Sequence, residues 1–471
     1  PLYTPRFFLY IFSTMHGRIM RLGGNLIADR KFISSILKIG VPIALQNLVT
    51  SSLALLDNVM IGQLGEAPIA AVSLANQVFF LFLLFIFGLG SGSIVFTAQY
   101  WGRGDLPMIR RVLGLCLFFS LVGGIAAAAA SLAAPERIIA VFSPDPGVVK
   151  IGAGYLSIVG VSFVFFAVTF SFSMVLRSME QTRLPLFTTV VSLTANAVFN
   201  YLLIFGKLGF PRMGVNGAAL ATAAARFLEM VLLLTILRVR KNPLMKRFKD
   251  YLNQSWRFLV KYLKTVFPVI GNEVGWALGM IMLKFVYARM GTEQIAAIAI
   301  KEMVVNLAIV AFFGTSNACA VMVGNTIGRE RTGTAYLYAL RFALLGPVLG
   351  AAAGIFIGVL SPVFPLMFNI SPLVRRYVII TLLTTAALMP VKIFNFHTIV
   401  GILRSGGDTA FSMYVDVGSV WGVGVLLAVL GGLVLKLPLP WVFLLVQTEE
   451  FVKAGLGYGR LRSKRWIRRL T

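Results

Sequence analysis

The chain is poor in the side chains from which most catalytic and metal sites are built. It has 2 cysteines and 2 histidines among 471 residues, and only 17 acidic residues against 43 basic ones. Cys116 and Cys319 lie far apart in apolar segments, at no metal-ligand spacing, which argues against a disulfide framework and a zinc site alike. No His/Asp or Cys/His cluster stands near one face of the apolar segments, so an integral-membrane enzyme is disfavoured. A phosphate-binding loop of the form G-x-x-x-x-G-K-S/T is absent, which excludes the common nucleotide-driven pumps. Charged residues make up only 13% of the chain, too few for a set of soluble domains.

What is abundant is apolar length. Hydrophobic residues reach 58%, and apolar runs of about 18 or more residues recur from end to end, the pattern of spanning helices. The short alternating segments of a membrane barrel are missing. The expected fold is an all-α polytopic membrane protein with twelve transmembrane helices. They fall near residues 34–61, 68–97, 108–132, 148–176, 184–206, 215–238, 259–289, 294–325, 334–360, 374–404, 409–434 and 438–458. Turns such as GQLGEAP, SPDPG, KLGFPRMGVNG and RMGTEQ separate them.

The chain also repeats itself. Pro42 to Arg103 overlays Pro268 to Arg329 at a constant offset of 226 residues: Gln46-Asn47 falls on Asn272-Glu273, Gly65 on Gly291, Phe87-Gly88 on Phe313-Gly314 and Gly102-Arg103 on Gly328-Arg329. A second echo pairs Leu176-Arg177-Ser178 with Leu403-Arg404-Ser405; an arginine there caps a helix C-terminus, a structural use. A shift by six spans leaves both halves inserted the same way. That predicts two parallel, pseudo-symmetric six-helix lobes around a central cavity. The net charge of +26 fits this plan, because Lys and Arg concentrate after the even-numbered spans and place both termini in the cytoplasm. No basic domain stands apart from the spans, so nucleic acid is not an expected partner. The divisions are a cytoplasmic arm at 1–33, an N-lobe at 34–238, a basic linker at 239–258, a C-lobe at 259–458 and a basic tail at 459–471.

Charged and amide side chains inside spans are the candidates for function, since each charge costs roughly 2.5–3.5 kcal/mol to insert near mid-membrane. Glu273 follows Pro268 by just over one turn, where the helix loses a backbone hydrogen bond. Two readings stand for it: a carboxylate that titrates or ligates Na⁺ in a cavity, and one paired to a neighbouring lysine to join helices. Asp57 lies late in the first span. Asn196 and Asn200 stand one turn apart on one face. The second half adds Lys301, Glu302, Lys392, Asn395, Asp416, Glu449 and Glu450, and a network of Glu273, Lys392, Asp416 and a twelfth-span glutamate is the expected coupling set. Lys284 and Lys453 read as snorkelling side chains, and His397 as a packed, hydrogen-bonded histidine.

LLDNVMIGQLG (55–65), FGLGSG (87–92), TAQYWGRGD (97–105), LRSMEQTRLP (176–185), FPVIGNEVGWALG (267–279) and GILRSGGDT (401–409) together resemble the multidrug and toxic compound extrusion (MATE) transporters, over about residues 34–471. The resemblance implies a secondary antiporter of the inner or plasma membrane that exports organic, often cationic, compounds in exchange for Na⁺ or H⁺. It needs no other cofactor, works as a monomer and alternates access by rocking its lobes. It raises Asp57 as a coupling or gating group. One branch of the family carries Asn and Asp in the fifth span; here the pair is Asn196 and Asn200, and the carboxylate is absent. That is similar to the NorM-like branch, whose cation site surrounds a seventh-span glutamate, here Glu273. The tenth-span carboxylate of that branch is unmatched, since Ile393 stands there beside Lys392 and Asn395. The coupling candidates are therefore Glu273, Asp57, Lys392, Asn395, Asp416, Glu449 and Glu450. A polar N-lobe set of Gln46, Asn47, Asn196 and Asn200 stands beside them. A lipid-linked sugar flippase of a related doubled fold is the alternative, and the acidic cluster argues against it.

Overall fold

The computed structural model describes residues 29–245, 251 and 255–470; residues 1–28 of the expected arm, and 246–250 and 252–254 of the expected linker, lie outside the described residues. Among the described residues the chain is helical. In order come α1 (Arg30–Gly62), α2 (Glu66–Arg103), α3 (Leu106–Ala133), the short α4 (Pro135–Ala140), α5 (Pro146–Gly160), α6 (Ser162–Ser178), α7 (Arg183–Phe205) and α8 (Val215–Val239). Then follow α9 (Trp256–Met290), α10 (Thr292–Gly328), α11 (Thr332–Leu360), α12 (Pro372–Phe396), α13 (Thr409–Ser419), α14 (Leu439–Val446) and α15 (Thr448–Ser463). Wide π turns carry α12 on through His397–Leu403 and α13 towards Val434.

Among the described residues, 9 helices are long and apolar enough to cross a bilayer, or 10 if α5 and α6, bent by 46°, form one span. Twelve were expected from the sequence. The remaining expected segments are α10, which carries Glu293, Lys301 and Glu302 in its first half, and the last span, which is divided into α14 and α15 at Gln447. Large apolar side chains such as Leu55, Leu81, Phe118, Ile125, Ile355 and Trp441 are exposed, as a lipid-facing surface requires.

Local chemistry sets several helix ends. Asp105 accepts from the Met108 amide at 3.1 Å and Ser371 from the Val374 amide at 3.3 Å, satisfying donors that the first turn leaves free. The repeat is visible at its glycines. Gly65 and Gly291 precede α2 and α10 with φ of 117° and 143°, a region that a side chain makes costly, so both copies keep a glycine there.

Contacts divide the chain into two units. One, the N-unit, is Leu45–Val266; the other, the C-unit, takes the chain up to Ala44 and from Phe267 onward. Both divisions fall inside helices, α1 and α9, next to the repeat-related Pro42 and Pro268, where each helix lacks a backbone hydrogen bond. The N-unit core is aromatic: Phe82 stacks on Phe163 at 5.1 Å, and Phe79 meets Phe166 edge-on at 5.2 Å.

In the C-unit, the start of α1 is held by three contacts. Asp29 accepts from the Arg341 Nη1 at 2.7 Å, which keeps its carboxyl below the usual range; Phe32 meets Phe342 edge-on at 5.1 Å; and Gly314 of α10 lies against the carbonyl of Gly40. The last contact leaves no room for a side chain, a small-residue crossing of the kind that joins helices in lipid. At the far end of the chain, the basic segment after residue 459 is built into the C-unit. Asp408, fully buried, binds Arg460 Nε at 2.6 Å and Arg468 Nη2 at 2.7 Å, and the fully buried Trp466 packs on Gly406.

Two outcomes follow. Gly314→Val is expected to cost about 1–3 kcal/mol by overpacking and to lower the melting temperature of the purified protein in detergent, read by scanning fluorimetry. Trp466→Ala is expected to cost about 3–5 kcal/mol and to free the C-terminal segment for cleavage in limited proteolysis, which leaves the wild-type segment intact.

Candidate functional site

Within the N-unit, α7 and α8 lie side by side and share a polar seam. On α7 the seam residues are Thr189, Ser192, Asn196 and Asn200, spaced three or four apart so that they point one way. On α8 they are Thr222, Arg226 and Glu229, at the same spacing. α1 contributes Gln46 and Asp57.

At one end of the seam, Asn200 Nδ2 donates to Asp57 Oδ1 at 2.6 Å. The Asn196 amide is better satisfied with its nitrogen turned to Asp57, 3.0 Å from Oδ1 and 3.2 Å from Oδ2. Thr222 Oγ1 lies 3.5 Å from Asn196. Among the described residues the buried Asn200 Oδ1 has no hydrogen-bond partner, an unfilled acceptor beside a carboxylate. Among the described residues no lysine or arginine forms a direct ion pair with Asp57, and Arg226 acts on it only through space. Four oxygen-bearing side chains of this kind suit either a hard monovalent cation or a proton on Asp57.

Towards the other end, Arg177 Nη2 donates to Gln46 Oε1 at 2.7 Å, Gln46 Nε2 donates to Thr189 Oγ1 at 2.8 Å, and Thr189 Oγ1 donates to Glu229 Oε1 at 2.6 Å. Arg226 sits between the two ends. It lies 4.0 Å over the Phe79 ring and donates to Ser162 Oγ at 3.0 Å, and it forms an ion pair with neither Asp57 nor Glu229. Gln46 is thus part of the Arg177–Glu229 chain and not of the Asp57 group. Asn47 is half-buried on α1 beside it.

In the C-unit the expected residues gather into ion pairs. Glu273 Oε1 binds Arg404 Nη1 at 2.8 Å. Lys453 Nζ lies 2.9 Å from Asp416 Oδ1 and 3.5 Å from Glu449 Oε1. Lys392 Nζ lies 3.2 Å from Glu450 Oε1, and Asn395 Nδ2 donates to both the Glu450 carbonyl at 2.7 Å and its Oε2 at 2.8 Å. Asn272 Nδ2, next to Glu273, reaches Asp416 Oδ2 at 3.1 Å. Of the expected network of Glu273, Lys392, Asp416 and a twelfth-span glutamate, Lys392 pairs directly with Glu450, while Glu273 and Asp416 have Arg404 and Lys453 as their direct partners. Each of the four carboxylates has a basic partner, as burial in a low-dielectric interior demands.

Three sequence readings change here. Lys453 is 5% exposed and held between two carboxylates, so it does not snorkel. Arg404, read as a helix cap, is buried and neutralises Glu273; its echo Arg177 likewise reaches back to the first helix of its repeat, at Gln46. Arg226 and Glu229 were overlooked. Both stand in an apolar span, and the cost of placing a charge there was signal enough to find them. Lys284 pairs with Glu302 at 2.9 Å, Lys301 lies 5.1 Å from the Phe443 ring centre, and His397 is fully buried with ring nitrogens 2.9 Å from the Ile393 carbonyl and 3.0 Å from Thr315 Oγ1. Among the described residues, no group of three or more His, Cys, Asp or Glu side chains is placed to hold a metal ion.

The family model MatE matches the chain twice, over residues 42–202 and 268–430, with starts separated by the same offset as the internal repeat. An uncharacterized transporter of Bacillus subtilis, YisQ, is 25% identical over 445 residues, 94% of this chain and 96% of its own length. A probable multidrug resistance protein NorM of Thermotoga maritima is 25% identical over 397 residues, 82% of each chain. Among solved structures, an outward-facing multidrug resistance MATE transporter of the MOP superfamily superposes with a TM-score of 0.82 at 20% identity, covering 92% of this chain and 96% of the other. A MOP superfamily transporter from Pyrococcus furiosus, described as having a binding pocket of reverse polarity, superposes at 0.81 with 20% identity over 91% and 95%. The doubled helical fold, the buried polar seam and these matches agree: the chain belongs to the MatE family of multi-pass membrane transporters, and it is a transporter and not an enzyme.

Proposed function

We propose that this protein is a secondary active antiporter that exports organic, often cationic, compounds in exchange for Na⁺ or H⁺. It uses alternating access of the rocker-switch kind, carried by twelve spans in two six-helix lobes. Both termini are cytoplasmic in this reading, on the distribution of Lys and Arg along the loops. Relatives named as probable multidrug resistance proteins support the export of drug-like compounds, and several NorM relatives at low identity favour the NorM-like branch, from whose seventh-span cation site the one proposed here departs.

The observation that carries the coupling site is the contrast in charge pairing. Among the described residues Asp57 accepts from two asparagine amides and has no direct ion pair, Arg226 acting on it only through space, whereas Glu273, Asp416, Glu449 and Glu450 each touch a lysine or arginine. A carboxylate already neutralised by a tethered cation has little to gain from a mobile one; Asp57 has much to gain. The coupling ion therefore binds at Asp57 with Asn196, Asn200 and Thr222. Na⁺ would draw the amide oxygens round to it, including the unfilled Asn200 Oδ1, and H⁺ would neutralise the carboxylate directly. Either event changes the free energy of one conformation relative to the other, which exchange requires. Glu273, Lys392, Asn395, Asp416, Glu449 and Glu450 then act as an ion-paired framework for the C-unit, in which Asp416 and Glu449 share Lys453.

Reconstituted in liposomes with a Na⁺ or a pH gradient imposed separately, the wild type is expected to move ethidium-like cations under one of them. Asp57→Asn should lose at least about tenfold of the gradient-driven rate, a transition-state cost of about 1.4 kcal/mol. Unchanged efflux in Asp57→Asn would remove the site, and no gradient-driven movement of any cation tested would remove the export reading.

A further inference from the structure

The chain from Arg177 through Gln46 and Thr189 to Glu229 has no part in the cation site just described, yet its order is specific. A guanidinium stands at one end and a carboxylate at the other, and between them each donor points towards Glu229, at 2.7, 2.8 and 2.6 Å. The four side chains come from α6, α1, α7 and α8. Hydrogen bonds anchored on charges at both ends are stronger than neutral ones, and they polarise the groups between them. Its central member, Gln46, lies on α1 two residues beyond Ala44, where the helix passes from the C-unit to the N-unit.

Glu229 has no direct ion pair among the described residues; Arg226 and Arg177 act on it through space. Arg226, on the same helix, interacts with Glu229 electrostatically, while its direct contacts are with the Phe79 and Phe166 rings and Ser162. Arg177, from α6, reaches Gln46 and not the carboxylate itself. α7 presents Thr189, a hydroxyl; α5 presents Tyr155, whose charge interactions are with Arg226 and Asp57; and Asp57 and Gln46 come from α1. Glu229 thus rests on one hydroxyl bond and on two guanidinium groups that touch other partners.

We propose that Glu229 is a second proton-carrying group of the N-unit, and that its protonation state sets, through Thr189 and Gln46, how firmly Arg177 holds α1. A proton arriving on a Glu229 carboxylate oxygen removes the anionic end of the chain. The Thr189 hydroxyl hydrogen then turns to a carbonyl one turn back, as that of Thr194 does towards the Val190 carbonyl at 2.9 Å. Arg177 is left with a neutral amide alone, and the segment of α1 around Gln46 is released. The proposal rests on the antiport reading, to which it adds a proton-sensitive hold on the first helix, separate from the ion bound at Asp57.

The test reads the helix and not transport. In a Cys116→Ala/Cys319→Ala background, both sites being buried and unpaired, a nitroxide is attached at Leu48→Cys, a half-exposed position two residues from Gln46. Its mobility is followed by electron paramagnetic resonance between pH 5 and pH 9. The expected ratio of mobile to immobile label changes about tenfold per pH unit around one midpoint, as a single proton requires. Glu229→Gln holds the label in its acid form at every pH. Thr189→Val abolishes the response, Thr189→Ser restores it, and Asp57→Asn leaves the midpoint in place. A wild-type label indifferent to pH, or a wild-type midpoint surviving in Glu229→Gln or Thr189→Val, overturns the proposal. Efflux measured on the same proteins separates the two ideas: loss of export with the midpoint intact sinks the antiport reading alone, and intact export with the midpoint unmoved in Glu229→Gln sinks the relay alone.

Discussion

A charge in a low-dielectric interior has to be matched, and that requirement arranges most of the polar structure of this transporter. The C-unit meets it internally. Arg404 answers Glu273, Lys453 is shared by Asp416 and Glu449, and Lys392 answers Glu450. Removing one partner from such a pair leaves a buried charge at a cost of about 3–5 kcal/mol, so these contacts fix helices in place more than they invite exchange. The N-unit meets the same requirement differently. Its guanidinium groups lean on aromatic rings, a serine and a glutamine, and Asp57 is left among amides. In the antiport reading proposed above, one site has its charge completed from outside, and Asp57 is the group assigned that part.

The internal repeat gives the two units a common plan and then lets them diverge. Pro42 and Pro268 weaken related helices, Gly65 and Gly291 make related turns, and Arg177 and Arg404 reach related positions. The chemistry met by the two arginines is unequal. Arg404 finds the carboxylate of Glu273, where the other copy has Asn47; Arg177 finds the amide of Gln46, with its anion, Glu229, two hydrogen bonds further on. The direct pair is a lock. The indirect one can respond to a proton.

Much of this was legible in the sequence, for physical reasons. Bilayer thickness imposes long apolar runs, so the all-helical membrane fold could be read directly, and a gap-free offset betrayed the duplication. The helix count was less legible, because a span broken at Gln447 has the composition of a span but not the continuity of one. Asp57, Asn196 and Asn200 were found from their residue types and spacing. Their partners were not, since the hydrogen bonds from α1 to α7 join residues 143 positions apart, and nothing in local sequence encodes which of two arginines meets a glutamate. Lys453 shows the limit well: four apolar carbons and a charge read as snorkelling until the fold places Asp416 beside it.

Which carboxylate holds the coupling ion is read most directly by equilibrium binding of radioactive Na⁺, and its competition by protons, to the purified protein in detergent. Three proteins suffice: the wild type, Asp57→Asn, and Glu273→Gln/Arg404→Gln, in which an ion pair is removed whole. The prediction is that proton-sensitive binding, or for a proton-coupled protein the equivalent substrate-induced proton release, disappears in Asp57→Asn and survives in the double variant. Survival in Asp57→Asn with loss in Glu273→Gln/Arg404→Gln would contradict it and move the site to the C-unit.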